Sequence, residues 1–131
     1  MDSVDKEFLE GGNYISLATR KRSGDWVATP VWFAPQDGSY YVFSARDAGK
    51  VKRLRNFSDC RIAPCTVSGT LTGDWVNASA HLLQRPEETA TALRALHRKY
   101  GWQMRLTDFL SRLSGKMGRR AYIRIDLPAE G

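Results

Sequence analysis

Hydrophobic and polar positions alternate with period two through most of the first eighty residues, then switch to helical spacing near Pro86. In "NYISLATRK" the alternation puts Ile15, Leu17 and Thr19 on one face. "RSGD" turns the chain, and "WVATPVWFA" alternates again with Val27, Val31 and Phe33 together, which predicts a hairpin. "PQDGS" predicts a second turn with Gly38 free to take a positive φ, and "YYVFSA" a third strand. Further on, "RIAPCTV" predicts a fourth strand, "SGTLTG" a turn and "DWVNASAHLL" a long fifth strand. The stretch "PEETATALRALHRKYG" opens with proline and two glutamates, repeats Leu93 and Leu96 with Ala92 and Ala95, and ends at Gly101, the pattern of an amphipathic helix. A second amphipathic stretch, Leu106 to Leu113, follows "WQM" and stops at Gly115 and Gly118, and "RRAYIRIDL" returns as a sixth strand. At the other end Ser3 caps a predicted short helix through Glu10, closed by Gly11 and Gly12. Tight turns between early strands, a helical excursion and a returning strand predict a mainly β fold with flanking helices. The expected architecture is a six-stranded antiparallel barrel, one domain over residues 1–131.

Two strands carry more on their outward faces than solubility requires. In the fifth, Val76, Ala78, Ala80 and Leu82 form the apolar parity that fills a barrel, leaving Trp75, Asn77, Ser79 and His81 outside. The outward row fits a dimer interface, a ligand groove or a solvated face. In the second strand Trp26, Ala28, Pro30 and Trp32 lie opposite Val27, Thr29, Val31 and Phe33. Pro30 cannot donate to a ladder, so this strand is expected at an edge or a bulge. Main-chain groups of residues 28 to 32 could there meet the polar edge of a flat ring.

Composition narrows the class. A hydrophobic fraction of 42% with 26% charged residues is that of a globular chain, and the net charge of +6 points to an anionic partner. The start "MDSVDKEFLEGG" is acidic and lacks an apolar signal region, so a cytoplasmic protein is expected, without membrane spans. Cys60 and Cys65 are five apart, on opposite faces of a strand, which argues against a mutual disulfide; no spacing of His and Cys predicts a metal site. No nucleophile elbow, carboxylate pair or Cys-His pair is visible, so no catalytic side chain is assigned. Trp26 and Trp32 flank a proline, a poor match to a base-stacking platform, so nucleic acid is not the expected partner.

The charge concentrates in "SARDAGKVKRLRN", residues 44 to 56, with five basic side chains and one acid. A helix starting at Ala48 or Gly49 buries Val51 and Leu54 and holds cations near its own N-terminus, an arrangement suited to a phosphate. Not all the charges can serve one group. Positions 50 and 52 differ by about 200° on an ideal helix, so both reach one phosphate only where the helix begins between them. Arg46 and Arg55 are expected to face solvent or a partner.

In this order, "SLATRKRSGDWVATPVWF", "YYVFSARDAGKVKRLRN", "LTGDWVNASAHLL" and "KYGWQ" resemble the pyridoxamine 5'-phosphate oxidase-like superfamily of FMN-binding split barrels. The resemblance runs from Phe8 to Asp126 and is nearest to its F420-dependent group of flavin/deazaflavin oxidoreductases. It implies a homodimer with cofactor sites at the interface and reduced F420 passing hydride to an unsaturated small molecule. FMN is the alternative cofactor, and a noncatalytic cofactor-binding protein the alternative role. Carried over, Ala28, Thr29, Pro30, Val31 and Trp32 line the ring, while Ser44, Lys50, Lys52 and Arg53 serve the phosphate or, for Arg53, an acidic cofactor tail. Trp75 would approach the cofactor from the second subunit, with Trp102 and Gln103 capping the substrate pocket. Where the oxidase places an arginine-lysine pair this chain has "AGK", a departure that separates it from action on pyridoxamine phosphate. A proton could come from solvent or from a hydroxyl such as Tyr40 or Ser79.

Overall fold

The computed structural model describes residues 10–128, so the helix expected from Ser3 lies outside the described residues apart from Glu10. Seven strands form one antiparallel sheet: β1 (Tyr14–Arg20), β2 (Trp26–Trp32), β3 (Ala34–Gln36), β4 (Ser39–Ala45), β5 (Asp59–Cys65), β6 (Val76–Leu83) and β7 (Arg120–Asp126). Their order across the sheet is β2-β1-β5-β6-β7-β4-β3. The described residues also hold helices α1 (Gly49–Asn56), α2 (Pro86–Tyr100) and α3 (Trp102–Leu113) and a 3-10 turn, Met117–Arg119.

The strand count is seven rather than six because "WVATPVWFA" breaks at Phe33. The Phe33 N–H donates to the Tyr100 hydroxyl at 2.9 Å, and that hydroxyl faces the carbonyl oxygens of Asn13 at 2.7 Å and of Phe33 at 2.9 Å. A side chain from α2 thus replaces the ladder at one residue. Before the break the strand pairs with β1; after it, with β4. Since β2 and β3 are the outermost strands of the sheet and only Phe33 separates them, the curled sheet has its two edges on one continuous segment. The alternation predicts the barrel, and the resemblance implies that it is split. The β3–β4 turn is a two-residue hairpin loop with Asp37 at φ 52° and Gly38 at φ 83°, the left-handed pair that matches strand twist.

Ile15, Leu17, Phe33, Val42, Ile62, Ile123 and Ile125 are fully buried in the barrel core. Each contributes about 1.5–3 kcal/mol through burial. On β6 the parity is as expected, with Ala80 buried and Val76, Ala78 and Leu82 packed against the same core. A second cluster lies outside the sheet, where Ala95, Leu96, Tyr100 and Met104 of the helices cover Ala34, Tyr41, Phe43 and Tyr122. Gly101, at φ 57°, turns the chain in one residue, so α3 starts at Trp102 rather than near Leu106. The edge position expected for the Pro30 strand holds.

Candidate functional site

Helix α1 follows β4 after a three-residue turn and packs on the barrel through Val51 and Leu54, both buried as their spacing predicts. Its start carries no side-chain cap, and the amides of Gly49 and Lys50 have no backbone acceptor among the described residues. The Arg53 guanidinium folds back over this end: a Cβ on Gly49 would lie 2.8 Å from Arg53 Nη1. Glycine therefore keeps the helix start open beneath a cation. Arg53 is fixed there because its Nε donates to Thr19 Oγ1 at 2.6 Å, and Thr19 is fully buried at the end of β1. Lys50 is half-buried beside it; burial first, then the Arg53 charge, lowers its pKa below the ordinary lysine value. Two close cations, two free amides and the positive end of a helix make a cradle for an anion with several oxygens.

The same bond brings in the second strand. Thr19 pairs across the ladder with Val27, and Ala18 with Ala28, so the cradle adjoins the first half of β2. Along that edge Ala28 and Pro30 are exposed, while Val31 is buried and Thr29 is partly buried with its Oγ1 lacking any partner among the described residues. Trp32 does not project from the edge. Its ring stacks on Tyr100 at 4.4 Å and meets Phe43 edge-on at 6.5 Å.

The structure therefore joins Lys50 and Arg53 to the β2 positions through Thr19 and sends Lys52 elsewhere, into a cleft with Arg46, Asp47, Arg55 and Arg119. Ser44 is partly buried on β4 opposite Ala121, and its hydroxyl has no hydrogen-bond partner among the described residues. Trp75, ahead of β6, and Trp102, at the start of α3, are 40% and 70% exposed, and Gln103 is exposed beside Trp102. Tyr40 is not a pocket hydroxyl. It is buried in the barrel and donates to Glu10 Oε1 at 2.9 Å, with burial and then Glu10 raising its pKa. Ser79 lies in a groove with Asn77, His81 and Asp126. Cys60 and Cys65 are free and buried, and burial pushes the Cys60 thiol up to about 12.

Two arrangements escape the sequence pattern. Thr19 is the first, although a hydroxyl in the core parity of Ile15 and Leu17 is the signal that could have found it. The second is a buried network in which Asp108 accepts from Arg120 Nη1 at 2.7 Å and lies 2.6 Å from His97 Nε2. It ties α2 and α3 to the start of β7, and Arg120 also sits over the Phe43 ring at 4.6 Å.

The family model described as pyridoxamine 5'-phosphate oxidase matches residues 1–128. The chain belongs to the pyridoxamine 5'-phosphate oxidase family. No curated protein sequence matches it. Solved structures with the family's fold include the heme storage protein HutZ of Vibrio cholerae, at 18% identity and TM-score 0.71, covering 96% of this chain and 88% of that one. A conserved hypothetical protein of Mycobacterium tuberculosis is similar at 19% identity and TM-score 0.71, covering 98% and 82%. A FAD-binding protein of Mesorhizobium loti is similar at 14% identity and TM-score 0.61, covering 98% and 90%. At these identities the likeness establishes the fold. In this member of the family no helix among the described residues is long and apolar enough to cross a membrane, and no cluster of metal-ligating side chains occurs among them.

Proposed function

We propose that the chain is a cytoplasmic oxidoreductase that binds a flavin-type cofactor along β2 and α1, with reduced F420 as its hydride donor toward an unsaturated small molecule. The observation that carries this reading is the Arg53–Thr19 bond, which joins an uncapped cationic helix start to an open strand edge. Such cofactors have the matching shape, a phosphate at one end and a flat ring with polar edges at the other. Gly49 supplies the test of fit, because a Cβ there would lie 2.8 Å from Arg53 Nη1 and the guanidinium would have to shift from its place at the helix start.

Lys50 and Arg53, with the amides of Gly49 and Lys50, would hold the phosphate, and Ser44 adds a hydroxyl on the approach to the helix. The ring would lie against the main chain of Ala28, Thr29, Pro30, Val31 and Trp32. Ala28 and Pro30 leave that backbone reachable. The cofactor supplies hydride chemistry, so the protein's tasks are to bind, orient and exclude water. Trp75, Trp102 and Gln103 of a second copy would close over ring and substrate. The homodimer is supported by α3, whose Trp102, Leu106, Phe109, Leu110 and Leu113 form an exposed apolar row.

An FMN-dependent oxidoreductase is the second reading, favoured by the FAD-binding relative and by a cradle that takes either phosphate. Equilibrium titration of the purified protein with F420 and FMN separates the two. Tighter F420 binding is the expected result; tighter FMN binding moves the chain to the second reading, and binding of neither overturns both.

A further inference from the structure

The cations of α1 that turn away from Gly49 belong to a different place. Arg46, Lys52, Arg55 and Arg119 surround a cleft of about 410 Å³ in which Asp47 is the one acid. Arg46 and Arg55 also line a neighbouring cleft of about 470 Å³ whose wall includes Leu82, Leu83 and Tyr122. The two arginines thus stand where a cationic hollow meets a partly apolar one. Two other surface arginines have acidic partners, Arg20 with Asp59 and Arg124 with Glu88 and Asp126, while Arg22, Arg61, Arg94 and Arg98 meet neutral groups one at a time rather than as a cluster. Among the described residues Arg46, Lys52, Arg55 and Arg119 form no ion pair. Arg46 is held in place nonetheless: its N–H donates to the Arg119 carbonyl at 2.7 Å and its Nη2 to the Gly118 carbonyl at 3.0 Å. Four cations around one carboxylate repel one another, and an anion between them removes that repulsion.

We propose that this double cleft is a second ligand site, for an organic anion whose charged group sits at Arg46 and Arg55 and whose apolar body rests on Leu82, Leu83 and Tyr122. Its volume is that of a small-molecule site, and its wall combines Leu82, Leu83 and Tyr122 with the polar Gln84, Thr89 and Arg120. The site is separate from the Gly49–Lys50–Arg53 cradle, because none of those three residues lines either cleft. It therefore does not depend on the flavin reading.

Calorimetric titration of the full chain with 2-naphthoate, the neutral 2-naphthalenemethanol and inorganic phosphate tests it. Naphthoate is expected to bind more tightly than either control, and the double variant Arg46→Ala/Arg55→Ala to lose at least about tenfold in naphthoate affinity. Lys50→Ala should leave naphthoate affinity within about twofold, as expected for an independent site. Thermal melting of each variant checks that it is folded. Unchanged naphthoate affinity in the double variant overturns the proposal, as does the absence of naphthoate binding to the parent protein. Phosphate binding as tightly as naphthoate removes the apolar body from the assignment, and loss of naphthoate binding in Lys50→Ala returns the anion to the cofactor cradle.

Discussion

Arg53 and Thr19 are 34 residues apart in sequence and joined by a 2.6 Å hydrogen bond from guanidinium Nε to hydroxyl Oγ1. The bond fixes a long flexible cation over the start of its own helix and couples that helix to β1 and, across the ladder, to β2. Thr19→Val keeps the shape and removes the acceptor. A hydrogen bond to a charged group contributes about 1.5–3 kcal/mol, and the partial exposure of Arg53 sets the expectation at the lower end. Urea unfolding should show that loss, with a parallel drop in cofactor affinity as Arg53 swings free. Stability falling while affinity stays constant would separate Arg53 from the cofactor.

The two sides of α1 give opposite expectations for two cations of one short helix. Lys50→Ala should weaken F420 or FMN binding by about 1.5–3 kcal/mol if its ammonium donates to the phosphate. Arg55→Ala, on the far side, should leave cofactor affinity nearly intact. Because burial lowers the Lys50 pKa, its ammonium loses its proton at lower pH than an exposed lysine, so cofactor affinity should fall earlier on the alkaline side than in a variant with arginine there. A comparable loss of affinity at Arg55 would reverse the assignment of faces.

These contrasts mark how far the sequence could be read. The Val51 and Leu54 spacing, the core parity of β6 and the edge position of Pro30 are local patterns, and local patterns survive folding when one face is buried. The break at Phe33 was not legible, because it depends on the Tyr100 hydroxyl arriving from 67 residues away. The same holds for the cradle. A helix start with cations near it was legible, but the cation that folds over it, Arg53, is placed by Thr19 of β1. Helical spacing already parted Lys50 from Lys52 and turned Arg46 and Arg55 away; what it left open is which of the two lysines shares Arg53's side, and the structure gives that place to Lys50.

Asp108 holds two partners in a buried position, with Arg120 at 2.7 Å and both side chains 5% exposed. Asp108→Asn would leave the Arg120 guanidinium buried without its counter-charge. The expected cost is about 3 kcal/mol or more, read as a lower urea midpoint at unchanged m-value. Removing both charges in Asp108→Asn/Arg120→Met should cost less than Asp108→Asn alone. Equal or greater loss in the double variant would mean that the network stabilises by packing rather than by charge.

The exposed row on α3 gives an assembly prediction. Trp102, Leu106, Phe109 and Leu113 recur at helical spacing with exposures between 48% and 70%, a stripe that water solvates poorly. If a second copy covers it, Phe109→Asp should shift sedimentation from dimer toward monomer while leaving the fold intact by circular dichroism. Losing an interface aromatic of this kind costs on the order of 2 kcal/mol or more in association. A parent protein that sediments as a monomer, or a variant that remains dimeric, would remove α3 from the interface.

Lys99 supplies a pH test of the fold itself. Its Nζ donates to the Gly12 carbonyl at 2.8 Å and lies 3.4 Å from the Phe33 ring centroid, yet burial lowers its pKa from 10.5 to about 8, with Glu10 opposing the shift. Burial therefore outweighs the contacts that favour the ammonium. Between pH 8 and 10.5 the unfolded chain holds this proton and the folded chain releases it, so stability rises with pH across that window. Below pH 8 the penalty is fully present. Lys99→Met removes the charge at similar length, so it should flatten the rise and, at pH 7, raise stability by less than about 2 kcal/mol given the partial exposure of the side chain. Urea unfolding from pH 7 to 10.5 reads both effects. An unchanged slope in the variant would place the titrating group elsewhere, and a large loss at pH 7 would mean that the Gly12 and Phe33 contacts outweigh burial.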